Sequence, residues 1–416
     1  MISPLEQLNH AVLQRKKIFI YGAGNQGRGF AQALRDSGIM PAGLIDRNPV
    51  VQGRSIAGLM VFDPSVLEAE SGQEENFVII AAFFFEKEIS NSLERLGYKR
   101  GKSYLPYSLL RPRDYAVEVS GVCNLSCIAC PRASRKPAGR YAKTMDLETF
   151  QRVIDKIRRE DPFVANIQLY QWGEPTLNKQ LPDMIRYARG KNVLCTISSN
   201  LNYHANFQDI MESRPECLRI SVSGTGECYS LTHTGGKWDR FLSHVEEVAA
   251  LRLTIYPEMK VELYHHLYND DVHSDRQQIE DLCARFDFEY HPVPAYLISL
   301  DDVLGYCEGR PLPDTACQAR KLLMVDLDEG LSRARAEAAL DCDALRVVLI
   351  NADLSVSCCM MFYDPEYNTC AENYLESPIE EITAKRQTAP LCLRCRRYGI
   401  HRYCGIYAKI GEEKRY

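Results

Sequence analysis

The first 122 residues of this 416-residue chain contain no cysteine, although the whole chain has 16. Long apolar runs are missing too, and no stretch approaches the ~18 consecutive apolar residues of a membrane span. The opening residues, MISPLEQLNHAVLQRKK, lack the uninterrupted apolar core of a secretion signal. Positive charge is not in excess: 50 Lys and Arg stand against 55 Asp and Glu, for a net charge of −5. These absences argue against a basic face for nucleic acid or anionic membrane, and they lead us to expect a cytoplasmic protein with a small-molecule substrate. In a reducing compartment cysteines do not form a disulfide framework, so metal or redox chemistry is expected of them.

What is present falls into three parts. Residues 1–110 contain KIFIYGAGNQGRGFAQAL, GLIDRNP and NFVIIAAF, short apolar strands alternating with amphipathic helices, the pattern of a parallel sheet covered by helices. PYSLLRPRD, with two prolines and clustered charge, reads as a linker. Residues 111–312 restart the alternation with YAVEVSG, IQLYQWG, VLCTISSN, LRISVSG, KVELYHHLYN and FEYHPVP. Six such units predict a (β/α)6 partial barrel with active residues at the C-terminal strand ends. In residues 313–416 the alternation dissolves and cysteines become dense, which predicts a small iron–sulfur domain. The fold class expected is therefore α/β throughout the first two parts.

Directly after the first barrel strand, VCNLSCIACP places Cys123, Cys127 and Cys130 within eight residues. Three thiolates on a cubane of four irons leave one iron open to a small molecule. A zinc site, the alternative, usually closes with four ligands, and this loop has no histidine to complete one. The CxxxCxxC spacing after a first barrel strand resembles the radical S-adenosylmethionine superfamily. The resemblance implies a 4Fe-4S cluster, S-adenosylmethionine, a flavodoxin- or ferredoxin-type reductant and a 5′-deoxyadenosyl radical. QWGEP at the second strand end is similar to the family's glycine-glycine-glutamate motif, with Gly173 and Glu174 in the matching places and Trp172 in place of the first glycine. Ser198, Asn200 and Ser223, at the next strand ends, match positions that contact the cofactor, although a strand-end serine can equally cap a helix. Ala129 stands where the family usually has an aromatic residue.

Downstream, CDALRVVLINADLSVSCC reads as a hairpin that brings Cys342 near Cys358, and PLCLRC adds Cys392 and Cys395. Four thiolates would close an auxiliary 4Fe-4S cluster, as in the twitch and SPASM domains that this region resembles. A four-cysteine zinc knuckle is the alternative, and Cys317, Cys359 and Cys404 leave a second cluster open. Cys195, Cys217, Cys228 and Cys283 read as small buried hydrophobes.

In the first part, Gly22, Gly24 and Gly27 form GxGxxG between strand and helix, with Asp46 after the next strand, a turn that can cradle phosphate and ribose. The segment resembles Rossmann-like domains of sugar-nucleotide and surface-glycan biosynthesis enzymes, and a docking role is the alternative. In the barrel, His265 and His266 of KVELYHHLYN are candidates for proton removal or simple wall residues. The expected reaction is hydrogen abstraction from a sugar or nucleotide-sugar, leading to oxidation, epimerisation or dehydration. A peptide-modifying enzyme and a nicotinamide-dependent oxidoreductase with electron-relay clusters are the alternatives.

Overall fold

The computed structural model describes residues 4–68, 72–82, 85–111, 113–135, 139–269 and 276–413. Phe83, the last residue of the run NFVIIAAF, and Pro112, in the stretch read above as a linker, lie outside them. The chain divides into two compact units: residues 1–114 with 154–166 and 189–194, and the remainder.

The first unit is built on β1 (Lys17–Tyr21), β2 (Gly43–Ile45), β3 (Ser55–Ile56), β4 (Leu59–Phe62), β5 (Asn76–Ile80) and β6 (Tyr104–Leu105). Their order in the sheet is β3-β4-β2-β1-β5-β6. All pairings are parallel except β3 with β4. The alternation in KIFIY explains the two cores. Ile18 and Ile20 enter one apolar cluster with Phe30 and Leu34, and Phe19 and Tyr21 enter another with Ile89 and Leu93. Both faces of β1 are therefore covered, as a parallel sheet requires.

The second unit holds a sheet of nine strands. Six are β7 (Asp114–Val117), β8 (Asn166–Gln168), β9 (Leu194–Ser199), β10 (Cys217–Val222), β11 (Lys260–Leu267) and β12 (Glu289–Pro294). They lie in sequence order, and the registered pairs among them are parallel. Each contains or overlaps one of the six strands read from the sequence, so the expected partial-barrel sheet is present. The cysteine-rich C-terminus adds β13 (Val347–Ile350), β14 (Val356–Ser357) and β15 (Thr369–Ala371) at the free side of β7. The Glu118 N–H bonds the Ile350 carbonyl at 2.8 Å, so barrel and hairpin share one continuous sheet. The turn at NADL is real: β13 and β14 are antiparallel, and Leu354 turns the chain at φ 71°.

Beyond the barrel, Leu297, Leu300, Val303 and Leu304 pack with Phe362, Leu391, Ile400 and Tyr403 in one apolar cluster. This core fixes the C-terminal helices against the segment that follows β12. No helix among the described residues is long and apolar enough to cross a membrane.

Candidate active site

Barrel strands end in loops, and those after β7, β8, β9 and β10 converge on a cavity of about 200 Å³. Cys123, Cys127 and Cys130 line it together with Gly173, Glu174, Ser198, Asn200, Ser223 and His266. Thus the structure gathers the three early cysteines and the five residues read at the next three strand ends. The cysteine loop is held by backbone bonds: Ser126 N–H to Thr234 O at 3.0 Å, Ile128 N–H to Thr232 O at 3.1 Å and Cys130 N–H to Cys127 O at 2.9 Å. Burial pushes the thiol of Cys123 up to about 12 and that of Cys130 up to about 11. In the bare chain these sulfurs hold their protons, and a metal is what would convert them to thiolates.

Gly173 occupies a place where no side chain fits, because a Cβ there would stand 1.7 Å from the Ser120 carbonyl oxygen. Next to it, the Glu174 carboxylate is 2% exposed. One oxygen accepts from the Thr176 N–H at 3.2 Å and hydroxyl at 2.7 Å, and the other accepts from the Asn200 N–H at 2.9 Å. Burial raises its pKa despite these bonds. The Asn200 side chain donates to Asn124 at 3.0 Å and approaches the Cys123 sulfur at 3.8 Å, so it bears directly on a candidate metal ligand.

The two candidate histidines part ways. Strand alternation sends neighbours to opposite faces. His266 reaches the cavity, whereas His265 is fully buried on the other face, with Nδ1 2.9 Å from the Tyr290 hydroxyl. Burial lowers the His266 pKa to about 4, which keeps the ring neutral near pH 7. The cavity also includes His233, which the sequence reading did not single out. Its Nδ1 lies 2.9 Å from Ser223 Oγ, and burial, then His266, lowers its pKa to about 3. No spacing in THTGG marks it. Where Ala129 supplies no aromatic surface, Tyr268 and Tyr296 line the same cavity.

Glu118, one residue past β7, was also missed, although an acid inside the apolar run YAVEV was a visible signal. It is fully buried and accepts the Trp172 and Gly173 N–H groups at 2.6 and 2.8 Å through one oxygen. The other oxygen has no partner among the described residues. Desolvation raises its pKa to about 7.

A second cavity, of about 300 Å³, is lined by Cys342, Cys359, Cys392, Cys395 and Cys404. Three of the four expected thiols meet there, but Cys358 does not line it and its neighbour Cys359 does. Cys358 is buried, with its thiol hydrogen-bonded to Cys370, and Cys370 in turn donates to the Val356 carbonyl at 3.4 Å. Successive residues leaving β14 point to opposite sides, so only one of the doublet can face the cavity. The Tyr296 hydroxyl hydrogen-bonds the Cys404 thiol, which links the walls of the two cavities. Among the described residues, no three sulfurs lie within 4.8 Å of one another. Cys195, Cys217 and Cys283 are buried, and Cys228 is partly so.

In the first unit, Gly22 has φ 116° and Gly27 lies so close beneath it that a Cβ would stand 1.8 Å from the Gly22 oxygen. Gly24 has open space around it. Asp46 accepts the Ala23 N–H at 2.8 Å and the Asn48 N–H at 2.9 Å, so its carboxylate braces the glycine turn.

No family model matches the chain. It is 30% identical over 112 residues to Fe-coproporphyrin III synthase of Methanosarcina barkeri (strain Fusaro / DSM 804), across 26% of this chain and 27% of that protein. The chain thus spans about a quarter of that relative's length. Among solved structures it is similar to BtrN in complex with AdoMet and 2-DOIA, at 16% identity and TM-score 0.42, covering 71% of this chain and 90% of that one. It is also similar to Streptococcus suis SuiB bound to precursor peptide SuiA, at 14% identity and TM-score 0.46, covering 75% and 78%. An N-terminal likeness is to UDP-D-quinovosamine 4-dehydrogenase from Vibrio fischeri, at 27% identity and TM-score 0.18, covering 20% and 75%.

Proposed function

We propose that this chain is a radical S-adenosylmethionine enzyme that abstracts a hydrogen atom from a carbon of a sugar or nucleotide-linked sugar. The observation that carries this reading is the one cavity on which Cys123, Cys127, Cys130, Glu174, Asn200 and His266 converge. The donor set fits: three thiols and no fourth ligand in the loop would hold a 4Fe-4S cluster and leave one iron for the methionine end of the cofactor. When bound, cluster and S-adenosylmethionine together supply a 5′-deoxyadenosyl radical, and the protein contributes position and exclusion of water.

The chain's own groups have distinct tasks. Glu174, oriented by Asn200 and Thr176, would pair with the cofactor's ammonium group by a charge-assisted hydrogen bond. Ser198, Asn200 and Ser223 offer polar contacts to ribose and carboxylate, and Tyr268 and Tyr296 offer the aromatic surface. His266, neutral in its buried place, accepts the hydroxyl proton next to the substrate radical. Cys342, Cys359, Cys392 and Cys395, on the wall of the second cavity, would hold an auxiliary cluster, which would supply an electron acceptor for an oxidation. By itself, the Gly22–Gly27 turn of the first unit offers a nucleotide site, where the exposed Gly24 leaves room for phosphate. A flavodoxin- or ferredoxin-type protein is the electron donor.

The test is replacement of Cys123, Cys127 and Cys130 together by Ala. With dithionite as reductant, the triple variant is expected to make no 5′-deoxyadenosine and to lose roughly four irons. Continued cofactor cleavage by that variant overturns the reading.

A further inference from the structure

We propose that His204, His244 and Glu247 form a binding site for a divalent transition ion of the zinc type, separate from both cysteine cavities. His204 lies in the loop after β9, and His244 and Glu247 lie three residues apart on the helix Trp238–Ile255, where such spacing puts two side chains on one face. One ligand atom from each of the three lies within 4.8 Å of the other two.

The geometry between the rings favours an ion over a plain hydrogen bond. His204 Nδ1 and His244 Nε2 are 3.5 Å apart, longer than a usual hydrogen bond. Two imidazoles on a tetrahedral zinc, each at ~2.05 Å, place their nitrogens about 3.3 Å apart. A second observation points the same way. His244 Nδ1 lies 2.8 Å from the Leu201 carbonyl oxygen, a contact made only by an N–H, so in the neutral ring the free ligand atom is Nε2, which faces His204. Metal-bound histidines are held in this manner, with the distal nitrogen fixed by a backbone carbonyl. His244 is 6% exposed, whereas His204 is at the surface, which gives an ion a path in and leaves a coordination position for water.

The contrast with the other compact acidic and histidine group is informative. Glu262, Glu289 and His291 also gather within 4.8 Å, but Arg219 and Lys260 already pair with the two carboxylates. An ion held by His204, His244 and Glu247 would instead fasten residues 201–206 to the long helix. Leu201, with φ 48°, opens that loop in a left-handed conformation unusual for leucine, and the preceding Asn200 N–H orients Glu174. The ion therefore braces the loop from behind the cofactor cavity.

The experiment uses full-length protein with its iron–sulfur clusters assembled anaerobically, titrated with Zn²⁺ while cluster absorbance is followed. Wild type is expected to bind one equivalent beyond any zinc found in the two variants, and to unfold at higher temperature with zinc, because the ion binds only the folded form. His204→Ala, at an exposed position, and Glu247→Gln each remove one ligand. Each is expected to weaken that equivalent at least tenfold and to abolish the zinc-dependent rise in Tm, with cluster absorbance unchanged. Equal zinc affinity and stoichiometry in wild type and both variants overturns the proposal, as does a wild type that takes up no zinc.

Discussion

At the scale of the residue, Glu118 and the doublet Cys358 and Cys359 make the sharpest predictions. Glu118 has one oxygen in two backbone hydrogen bonds and a folded pKa near 7, above the usual carboxylate range because of burial. A raised pKa means that the folded state binds a proton which the unfolded state has released. That stability is fully present below the ordinary carboxylate pKa and disappears as pH rises through about 7. Glu118→Gln keeps an accepting oxygen and cannot ionise. Between pH 6 and 8 wild type should therefore lose about 1 kcal/mol relative to the variant, measured by anaerobic thermal unfolding at several pH values. For the doublet, Cys359→Ala should remove roughly the four irons of the auxiliary cluster, whereas Cys358→Ala should retain them. Equal iron loss in both would contradict the placement of Cys359 at the cavity wall. The sequence reading grouped Cys358 with Cys342, Cys392 and Cys395, whereas Cys359 is the one of the doublet that lines the cavity with them. Which one depends on where β14 ends, and a two-residue strand has no periodicity to reveal it.

At the scale of the element, the two glycine turns respond differently to a side chain. Gly173→Ala would drive a Cβ into the Ser120 and Val122 carbonyls, so the loop ending in Glu174 must shift. We expect S-adenosylmethionine affinity, measured by calorimetry on the reconstituted protein, to fall by a factor of ten or more. At Gly24 an added Cβ has no protein atom within 4 Å, and the backbone keeps an ordinary φ of −73° for the substitution Gly24→Val. It should leave Tm unchanged while removing the nucleotide or nucleotide-sugar binding expected of that turn, because it blocks close approach of phosphate to the backbone. Strands were legible because apolar alternation and β-branched runs are local signals. The period of two in KVELYHHL placed Glu262, Tyr264 and His266 on one face and His265 on the other, but which face enclosed the cavity waited for the barrel to close. β15 carried no local signal: TCA is three residues long and is held as a strand by its pairing with β14.

At the scale of the whole molecule, the fate of the substrate radical is read from product mass. Oxidation through the auxiliary cluster gives a product lighter by two hydrogens with one S-adenosylmethionine consumed per turnover, and dehydration gives one lighter by water. Epimerisation gives unchanged mass in ordinary water and uptake of solvent deuterium at the reacting carbon. Replacement of Cys392 and Cys395 by Ala should leave 5′-deoxyadenosine formation largely intact while oxidised product disappears. Unchanged mass with deuterium uptake would remove the oxidation route and leave the radical chemistry standing.

The sequence by itself determined the α/β class, the six barrel strands, the hairpin and the loop of three cysteines, because each is written in spacing of a few residues. The tertiary structure decided what depends on distant parts of the chain meeting. It brought His233 beside Ser223, set Glu118 beneath the turn of Trp172 and Gly173, and put Cys359 rather than Cys358 on the wall of the second cavity. It also placed His204 against a helix forty residues away. Local pattern fixes which face a side chain takes along its own strand or helix. What that face meets is set by burial and by loop closure over tens of residues, and no short-range periodicity encodes those.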